Sequence, residues 1–476
     1  MGIAFRYIGA CIVVLLLSSC ATQAPEDLVQ DNLYSDEYMP ESLSEKNILQ
    51  MPDEALMPTK EYAPKTQLLQ EDLDTKPIKI ALLVPLSGRY RELGRQLLDA
   101  AQLALFSFGN PNLVLLPIDT KGTSFGAVEA AKQSVAGGAS LILGPVFSSS
   151  TKAVVPIAKK HNVELISFSN DISLSGTGAF VLGFRPEQQI ERITEFALYQ
   201  GVENFVSILP NNQYGATAAK HMRQQIDAIE GTAILKSEIY RVSRNGDILK
   251  LNKHVYGAYH AAMNSRPPKD YDEELEQYKD IPLVFPRAML IAEGGKRLLD
   301  MAALLKKYGF DNQKIQLLGS AKWYDDMLLS EPILDGALFA APPRERQIRF
   351  KNKFVSVYGY EPKNIASLAY DAIALAATLV KISGGSEFTK EALTNPRGFV
   401  GIDGIFRLTD SGLSERGLAI IGIHEGAFEV IEPSPKSFYE LEERNSQKRQ
   451  LLEQIQEQRK LEQLMIEAND SNVPAL

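Results

Sequence analysis

The sequence predicts an α/β protein made of two lobes, each built on a parallel sheet. Three observations predict it. Short apolar runs recur along the chain, the first being Ile78-Lys79-Ile80-Ala81-Leu82-Leu83-Val84-Pro85. Strands buried on both faces of a parallel sheet read as such runs, not as an alternation of apolar and polar residues. Segments with apolar residues at helical spacing lie between the runs, and strands alternating with helices of about 10–15 residues indicate βαβ units. The alternation ends at Phe184-Arg185-Pro186 and then restarts, which favours two lobes over one oversized sheet.

Taken in order, the first strand is followed by Leu93, Leu97, Ala100, Ala101 and Ala104 on one helix face. Residues 113–118 read as a strand, Val128, Ala131 and Val135 as a helix, and 140–143 as another strand. Residues 151–161 are helical, with Val154, Ile157 and Ala158 inward, and 164–168 form a strand. In the second run, Ile190, Ile193 and Ala197 mark a helix, 205–209 a strand, and Ala219, Met222 and Ile226 the next helix. Residues 233–241, 288–292, 316–319 and 337–340 look like further strands. The polar stretch 265–281 holds Pro267-Pro268 and is expected to be an insertion or long loop. Residues 437–470 are rich in Glu, Gln and Arg and contain no proline, so a polar helix is expected there. Leu451, Leu452, Ile455, Leu461, Leu464 and Met465 keep no heptad, which favours a solvated or partner-binding helix over a coiled coil. The last residues, 471–476, are expected to fray.

The chain has 476 residues, room for two or three domain-sized units, and its 45% hydrophobic and 23% charged residues are those of a globular protein. A net charge of −9 argues against a nucleic-acid binder, which needs a basic face to displace counterions from phosphates. Both cysteines, Cys11 and Cys20, fall in the first twenty residues, so disulfides, zinc knuckles and thiol chemistry are excluded for the folded part. His254 and His260 are spaced so that one helix face cannot present both to a metal. Glu293-Gly294-Gly295-Lys296 lacks the spacing of a phosphate loop, and no G-x-S-x-G elbow surrounds Ser87, Ser149 or Ser167. The expectation is a binding protein without metal or cofactor, not an enzyme.

Arg6 gives the N-terminus a positive charge, and residues 7–17 form an apolar run of signal-peptide length. A membrane-spanning helix would need roughly 20 apolar residues. Leu17-Ser18-Ser19-Cys20, followed by Ala21, resembles the bacterial lipobox. The resemblance implies a signal peptide over 1–19, cleavage before Cys20, and acylation of the Cys20 thiol and the freed amine. Several acyl chains anchor stably, because each buried CH₂ contributes about 0.8 kcal/mol and one chain alone is marginal. An ordinary signal peptide cut after Ser19, with Cys20 incidental, is the alternative. By resemblance to lipoprotein sorting, Ala21 in place of Asp implies the periplasmic face of the outer membrane. Residues 20–76 are acidic and rich in Pro, Gln, Ser and Met, and read as a flexible tether spanning about 40 Å.

Small polar loops follow the strands, at the ends where open α/β sheets bind ligands. They are Pro85-Leu86-Ser87-Gly88, the stretch Gly144-Pro145-Val146-Phe147-Ser148-Ser149-Ser150-Thr151, Ser167-Phe168-Ser169-Asn170, and Asn211-Asn212-Gln213-Tyr214-Gly215. Ser149 or Ser150 can cap a helix whose free N–H groups favour a carboxylate. Any one such loop more often only caps its helix; together they point to a cleft between lobes.

The order of these segments resembles the type I periplasmic binding proteins, the leucine/isoleucine/valine-binding family, and more narrowly the penicillin-binding protein activator lipoproteins that carry this fold. The matching stretches are Ala81-Leu82-Leu83-Val84-Pro85-Leu86-Ser87-Gly88, Leu143-Gly144-Pro145-Val146-Phe147-Ser148, Ile166-Ser167-Phe168-Ser169-Asn170 and Gly183-Phe184-Arg185-Pro186-Glu187-Gln188-Gln189. The resemblance covers roughly residues 77–432. It implies two Rossmann-like lobes joined by three crossover strands, about 77–185 with 342–405 and 186–341 with 406–432, followed by a polar tail over 433–476.

It further implies that Ser149, Ser150, Ser167 and Ser169 hold the carboxylate and amine of an amino-acid-like ligand, with Ser87 and Asn170 beside them. Tyr214 would close over that ligand, and Trp323, the single tryptophan, is a further cleft candidate. Glu293 and Asp325 are candidates for the group that holds an ammonium. Two functions stay open. One is an outer-membrane lipoprotein that binds and activates a penicillin-binding protein in peptidoglycan synthesis. The other is a periplasmic receptor that delivers a small polar ligand to a transporter.

Overall fold

The computed structural model describes residues 76–243, 245–263, 287–385 and 388–470. Cys20, the signal peptide and the tether lie outside the described residues, as does the expected insertion at 265–281.

The first sheet has the order β2-β1-β3-β4-β5 and is parallel throughout. Its strands are β1 (Ile78–Val84), β2 (Leu113–Asp119), β3 (Leu141–Leu143), β4 (Glu164–Ser167) and β5 (Phe180–Val181). Helices α1 (Arg91–Phe108), α2 (Ser124–Ala136) and α3 (Ser148–Lys160) make its crossovers. Leu82, Leu83, Leu141 and Ile166 are fully buried, and each such side chain removed from water stabilises the fold by about 2 kcal/mol. The apolar run of β1 is therefore required by its place in mid-sheet, with helices on both faces.

The chain then enters α4 (Pro186–Tyr199) and builds a second sheet, ordered β15-β14-β10-β9-β8-β6-β7. Its parallel part is β6 (Asn204–Pro210), β7 (Ala233–Tyr240), β8 (Arg287–Ile291), β9 (Gln316–Ser320) and β10 (Leu338–Ala341). Helices α5 (Gln213–Asp227), α6 (Leu251–Met263) and α7 (Gly295–Lys307) connect these strands. Each strand expected from an apolar run is present, within a residue or so of its expected bounds.

In both lobes a helix begins hard against the strand before it. A Cβ on Gly94 would lie 1.9 Å from the Pro85 carbonyl oxygen, and one on Gly215 would lie 1.9 Å from that of Pro210. Only glycine permits that approach.

The chain returns to the first lobe after β10 through α8 (Arg344–Tyr358) and α9 (Ala366–Ser383). Helix α9 packs beside α1 and is buried nearly throughout. Among the described residues it is the helix long and apolar enough to cross a membrane, and 78% of it is buried inside the protein. A helix that is apolar on every side suits such a core position. After the short helix α10 (Lys390–Leu393) come β11 (Phe399–Gly401), β12 (Gly404–Leu408) and β13 (Ser414–Arg416), a small antiparallel sheet. Phe399, Phe406 and Leu408 belong to the first lobe's core, and a bridge from Leu413 to Val181 extends the edge of β5. The final passage to the second sheet is thus at Gly417-Leu418, later than position 405. There β14 (Ala419–His424) and β15 (Ala427–Glu432) add an antiparallel hairpin beside β10. The polar segment expected at 437–470 is one helix, α11 (Phe438–Asp470).

Candidate functional site

Loops at the C-terminal ends of strands in both sheets surround a cavity of about 590 Å³. Its walls come from the first lobe (Tyr90, Phe147, Ser149, Ser169) and from the second (Glu187, Tyr214, Thr217). That volume suits a small molecule. Another cavity, of about 360 Å³, opens between Lys159, Glu164 and Asp410, at the starting end of β4 and away from these loops.

Four of the expected residues line the interlobe cavity: Ser149, Ser169, Asn170 and Tyr214. Ser149 stands in the first turn of α3, and Ser169 Oγ accepts a hydrogen bond from the Asp171 amide at 3.2 Å. Tyr214 comes from the first turn of α5, where Asn212 caps the helix by accepting from Gly215 N at 3.0 Å. The Tyr214 hydroxyl shares a 2.8 Å hydrogen bond with Ser320 Oγ, and burial pushes the phenol up to about 12.

The other four are placed elsewhere, each for a local reason. Ser87 Oγ donates to Asp119 Oδ2 at 2.5 Å, and Asp119 also accepts from the Leu86, Ser87 and Lys121 amides. Ser87 therefore helps tie the turns after β1 and β2. Ser167 is fully buried, donates to the Pro145 carbonyl at 2.9 Å and shares a 2.7 Å hydrogen bond with Thr151, so it braces the loop behind the cavity. Ser150 is buried on the inner side of α3. Trp323 does not face the cavity: it is fully buried in the second lobe's core and donates through Nε1 to the Glu293 carbonyl at 2.7 Å.

Neither acid considered for an ammonium is free. Glu293 is buried, accepts from the Tyr240 hydroxyl at 2.5 Å and pairs with Arg297 Nε at 2.9 Å. Lys322 Nζ lies 3.9 Å from Glu293 and 4.0 Å from the centre of the Tyr214 ring. Asp325 accepts from the Met327 amide at 3.1 Å and so caps a short 3₁₀ turn.

Two acids that sequence reasoning passed over do line the cavity. Asp171 accepts from the Ser173 amide at 2.9 Å. Burial raises its pKa, but hydrogen bonds from Ser173 and from the Ser148 hydroxyl, with the nearby Lys152, hold it below the usual carboxylate value. Ser148, which opens α3, lines the same cavity as Asp171. Glu187 is 3% exposed, and its Oε2 has no hydrogen-bond partner; the nearest cation is Arg185 Nε at 3.9 Å. In sequence, Pro186-Glu187 reads as an ordinary helix start, where an acid complements the dipole. The usable signal was its position, directly after the chain leaves the first sheet.

Among the described residues no cluster of His, Cys, Asp or Glu is arranged to hold a metal ion. Two parallel-sheet lobes with a polar cleft at their strand ends define the architecture of a type I periplasmic binding protein. The family described as "Periplasmic binding protein" matches residues 77–406, and the chain belongs to it.

The fold is similar to that of a putative branched-chain amino acid ABC transporter protein from Rhodospirillum rubrum, with a TM-score of 0.59 at 20% identity over 75% of this chain and 100% of that one. A substrate-binding protein of an ABC transporter from Sphaerobacter thermophilus gives 0.57 at 18% identity, covering 75% and 97%. A solute-binding protein from Rhodopseudomonas palustris BisB5, solved with 3,4-dihydroxybenzoic acid, gives 0.52 at 16%, covering 75% and 96%. At these identities the likeness is one of fold. An uncharacterized protein of Rickettsia prowazekii (strain Madrid E) is 23% identical over 376 residues, 75% of this chain and 90% of that protein.

Proposed function

We propose that this protein is a lipid-anchored component of the bacterial envelope that binds a small polar solute between its lobes. The observation that carries the reading is the cavity of about 590 Å³, on which Ser149, Ser169, Asn170, Glu187 and Tyr214 converge from two separate sheets. Supporting it, relatives in fold are described as solute-binding proteins of ABC transporters. Anchoring through Cys20 at the outer membrane belongs to the same proposal, and its support is the tetrapeptide Leu17-Ser18-Ser19-Cys20 with Ala21. Thermal unfolding of the full-length chain against amino acids, amines and muropeptides tests the cleft. A compound bound only by the folded state at 100 times its Kd adds about 2.7 kcal/mol. The shift should shrink in Ser149→Ala and Tyr214→Ala; no shift with any compound would sink the reading.

A second reading keeps the cleft secondary: an outer-membrane lipoprotein that binds and activates a penicillin-binding protein. What favours it is α11, which lies outside the matched family segment and touches both lobes. A helix that braces the lobes suits a protein that works by surface contact. Stimulation of a purified penicillin-binding protein's peptidoglycan synthesis by the full-length chain would support it, and an unchanged rate would dismiss it.

A further inference from the structure

We propose that residues 433–448 form a strap that sets the angle between the two lobes. It is anchored in the first lobe by a buried ring and clipped to the second by charge, and opening the clip frees the lobes. The proposal goes beyond the solute reading and stands whether or not the cleft takes a ligand.

The strap begins as a further passage between the lobes. Strand β15 ends at Glu432 in the second sheet, and Phe438, which opens α11, is buried at the first lobe. Pro433 and Pro435 stiffen the connection, since each fixes its own φ and holds the residue before it extended. Pro435 is buried against the crossover at Gly417, where an added Cβ would lie 2.7 Å from the proline Cγ. A rotation of the lobes about that crossover must therefore move the strap as well.

The start of α11 ties passage and helix into one unit. The Glu440 amide donates to Ser437 Oγ at 3.1 Å, and the Glu440 carboxylate accepts from the Lys436 amide at 2.7 Å, much as in a capping box. One turn on, Arg444 Nη1 donates back to the Pro433 carbonyl at 2.8 Å.

Different forces hold the two ends. At the first lobe the Phe438 ring enters a slot left open by Gly398, where a Cβ would come within 2.6 Å of it. The Arg407 guanidinium of β12 covers the ring at 4.4 Å. Removal of a ring from water is an apolar contribution that does not depend on a counter-charge. At the second lobe the contact is ionic. Lys448 Nζ lies 3.2 Å from Glu432 and 5.2 Å from the Tyr199 ring of α4, and Arg192 of α4 pairs with the same carboxylate at 2.6 Å. Burial raises the Glu432 pKa, but Arg192 and Lys448 hold it below the usual carboxylate value, so the clip is charged at neutral pH. Partly exposed ion pairs are individually weak and are screened by salt. The strap is thus permanent at Phe438 and releasable at Glu432.

The test is single-molecule energy transfer in the full-length chain, between dyes on ketone side chains introduced at Gln133 in the first lobe and Gln224 in the second, both exposed. With the strap closed, the distance distribution should be single and narrow. Glu432→Gln removes the charge at the centre of the clip and should broaden or shift it. Lys448→Met leaves the Glu432–Arg192 pair of the second lobe intact, cuts only the strap, and should do the same. Circular dichroism of each variant checks that it is folded. A broad distribution in the unmodified chain would overturn the proposal, and so would narrow, unshifted distributions in both variants. A change in Glu432→Gln that Lys448→Met does not share would place control within the second lobe and also overturn it. No ligand enters the measurement, so its outcome is independent of the cleft reading.

Discussion

The guanidinium of Arg407 lies 4.4 Å from the centre of the Phe438 ring and donates to Glu442 at 2.7 Å. Arg407 stands on β12, beside core residues Phe406 and Leu408 of the first lobe, and Phe438 is the buried first residue of α11. Further along the same helix, Lys448 Nζ reaches Glu432 of β15 at 3.2 Å and lies 5.2 Å from the Tyr199 ring of α4. Arg444 also faces Glu432, and Arg192 of α4 pairs with it at 2.6 Å. The first turns of α11 therefore grip both lobes, close to the crossover at Gly417-Leu418.

A brace of this kind has a measurable consequence. Phe438→Ala should destabilise the protein by about 3 kcal/mol, the scale for removing a buried aromatic ring, as read from urea unfolding. Deleting residues 437–476 should speed hydrogen exchange at the crossover segments 182–185 and 417–418. Unchanged exchange there would mean that α11 only decorates the surface.

The crossovers also enclose two buried carboxyls. Burial and the neighbouring Asp403 push Asp371 from its ordinary value of 3.8 up to about 7, while buried Arg416 pulls it down. Burial raises Asp403 too, against Arg416 and hydrogen bonds from Gln347 and Ser367. An acid with a raised native pKa holds its proton in the folded state where the unfolded chain has lost it. Its ionisation therefore costs stability as pH rises through roughly 4 to 7. Asp371→Asn removes that cost and should raise Tm relative to the parent more at pH 8 than at pH 5. A constant difference across that range would show the pair to be ionised throughout.

The Glu293 cluster should matter for folding more than for binding. Glu293→Ala leaves the Tyr240 hydroxyl and Arg297 without their acceptor. Since Arg297 is 39% exposed, solvent screens part of the loss, and we expect about 2 kcal/mol. Ligand affinity in the cleft should change less than tenfold. A large affinity loss at unchanged stability would instead make Glu293 a binding residue.

Anchoring makes a simpler prediction. Cys20→Ser should abolish labelling by a fatty-acid probe and shift the protein from the membrane fraction to the soluble periplasmic fraction. Retention in the membrane fraction would remove Cys20 as the anchor.

Much of this architecture could be read from local pattern. Runs such as Ile80-Ala81-Leu82-Leu83-Val84 mark mid-sheet strands because a parallel strand is buried on both faces, and that burial must be written into consecutive residues. The restart at Pro186 marked the second lobe for a similar reason. A cleft was expected at the loops ending the strands, and Ser149, Ser169, Asn170 and Tyr214 line a cavity there.

What only tertiary structure decided is which polar side chains remain available. Ser149 and Ser150 are neighbours on one helix, yet one lines the cavity and the other faces the core, since helical geometry turns adjacent residues about 100° apart. Trp323 was placed at the cleft by its closeness to a strand end, but its indole packs beneath Glu293. Glu187 looked like a helix-start acid until the fold buried it in the cavity wall, 3.9 Å from Arg185 Nε. A sequence determines a residue's chemistry and the face of its element. Its hydrogen-bond partners come from segments far away in the chain, and they alone decide whether a polar group is consumed inside the fold or left for a ligand.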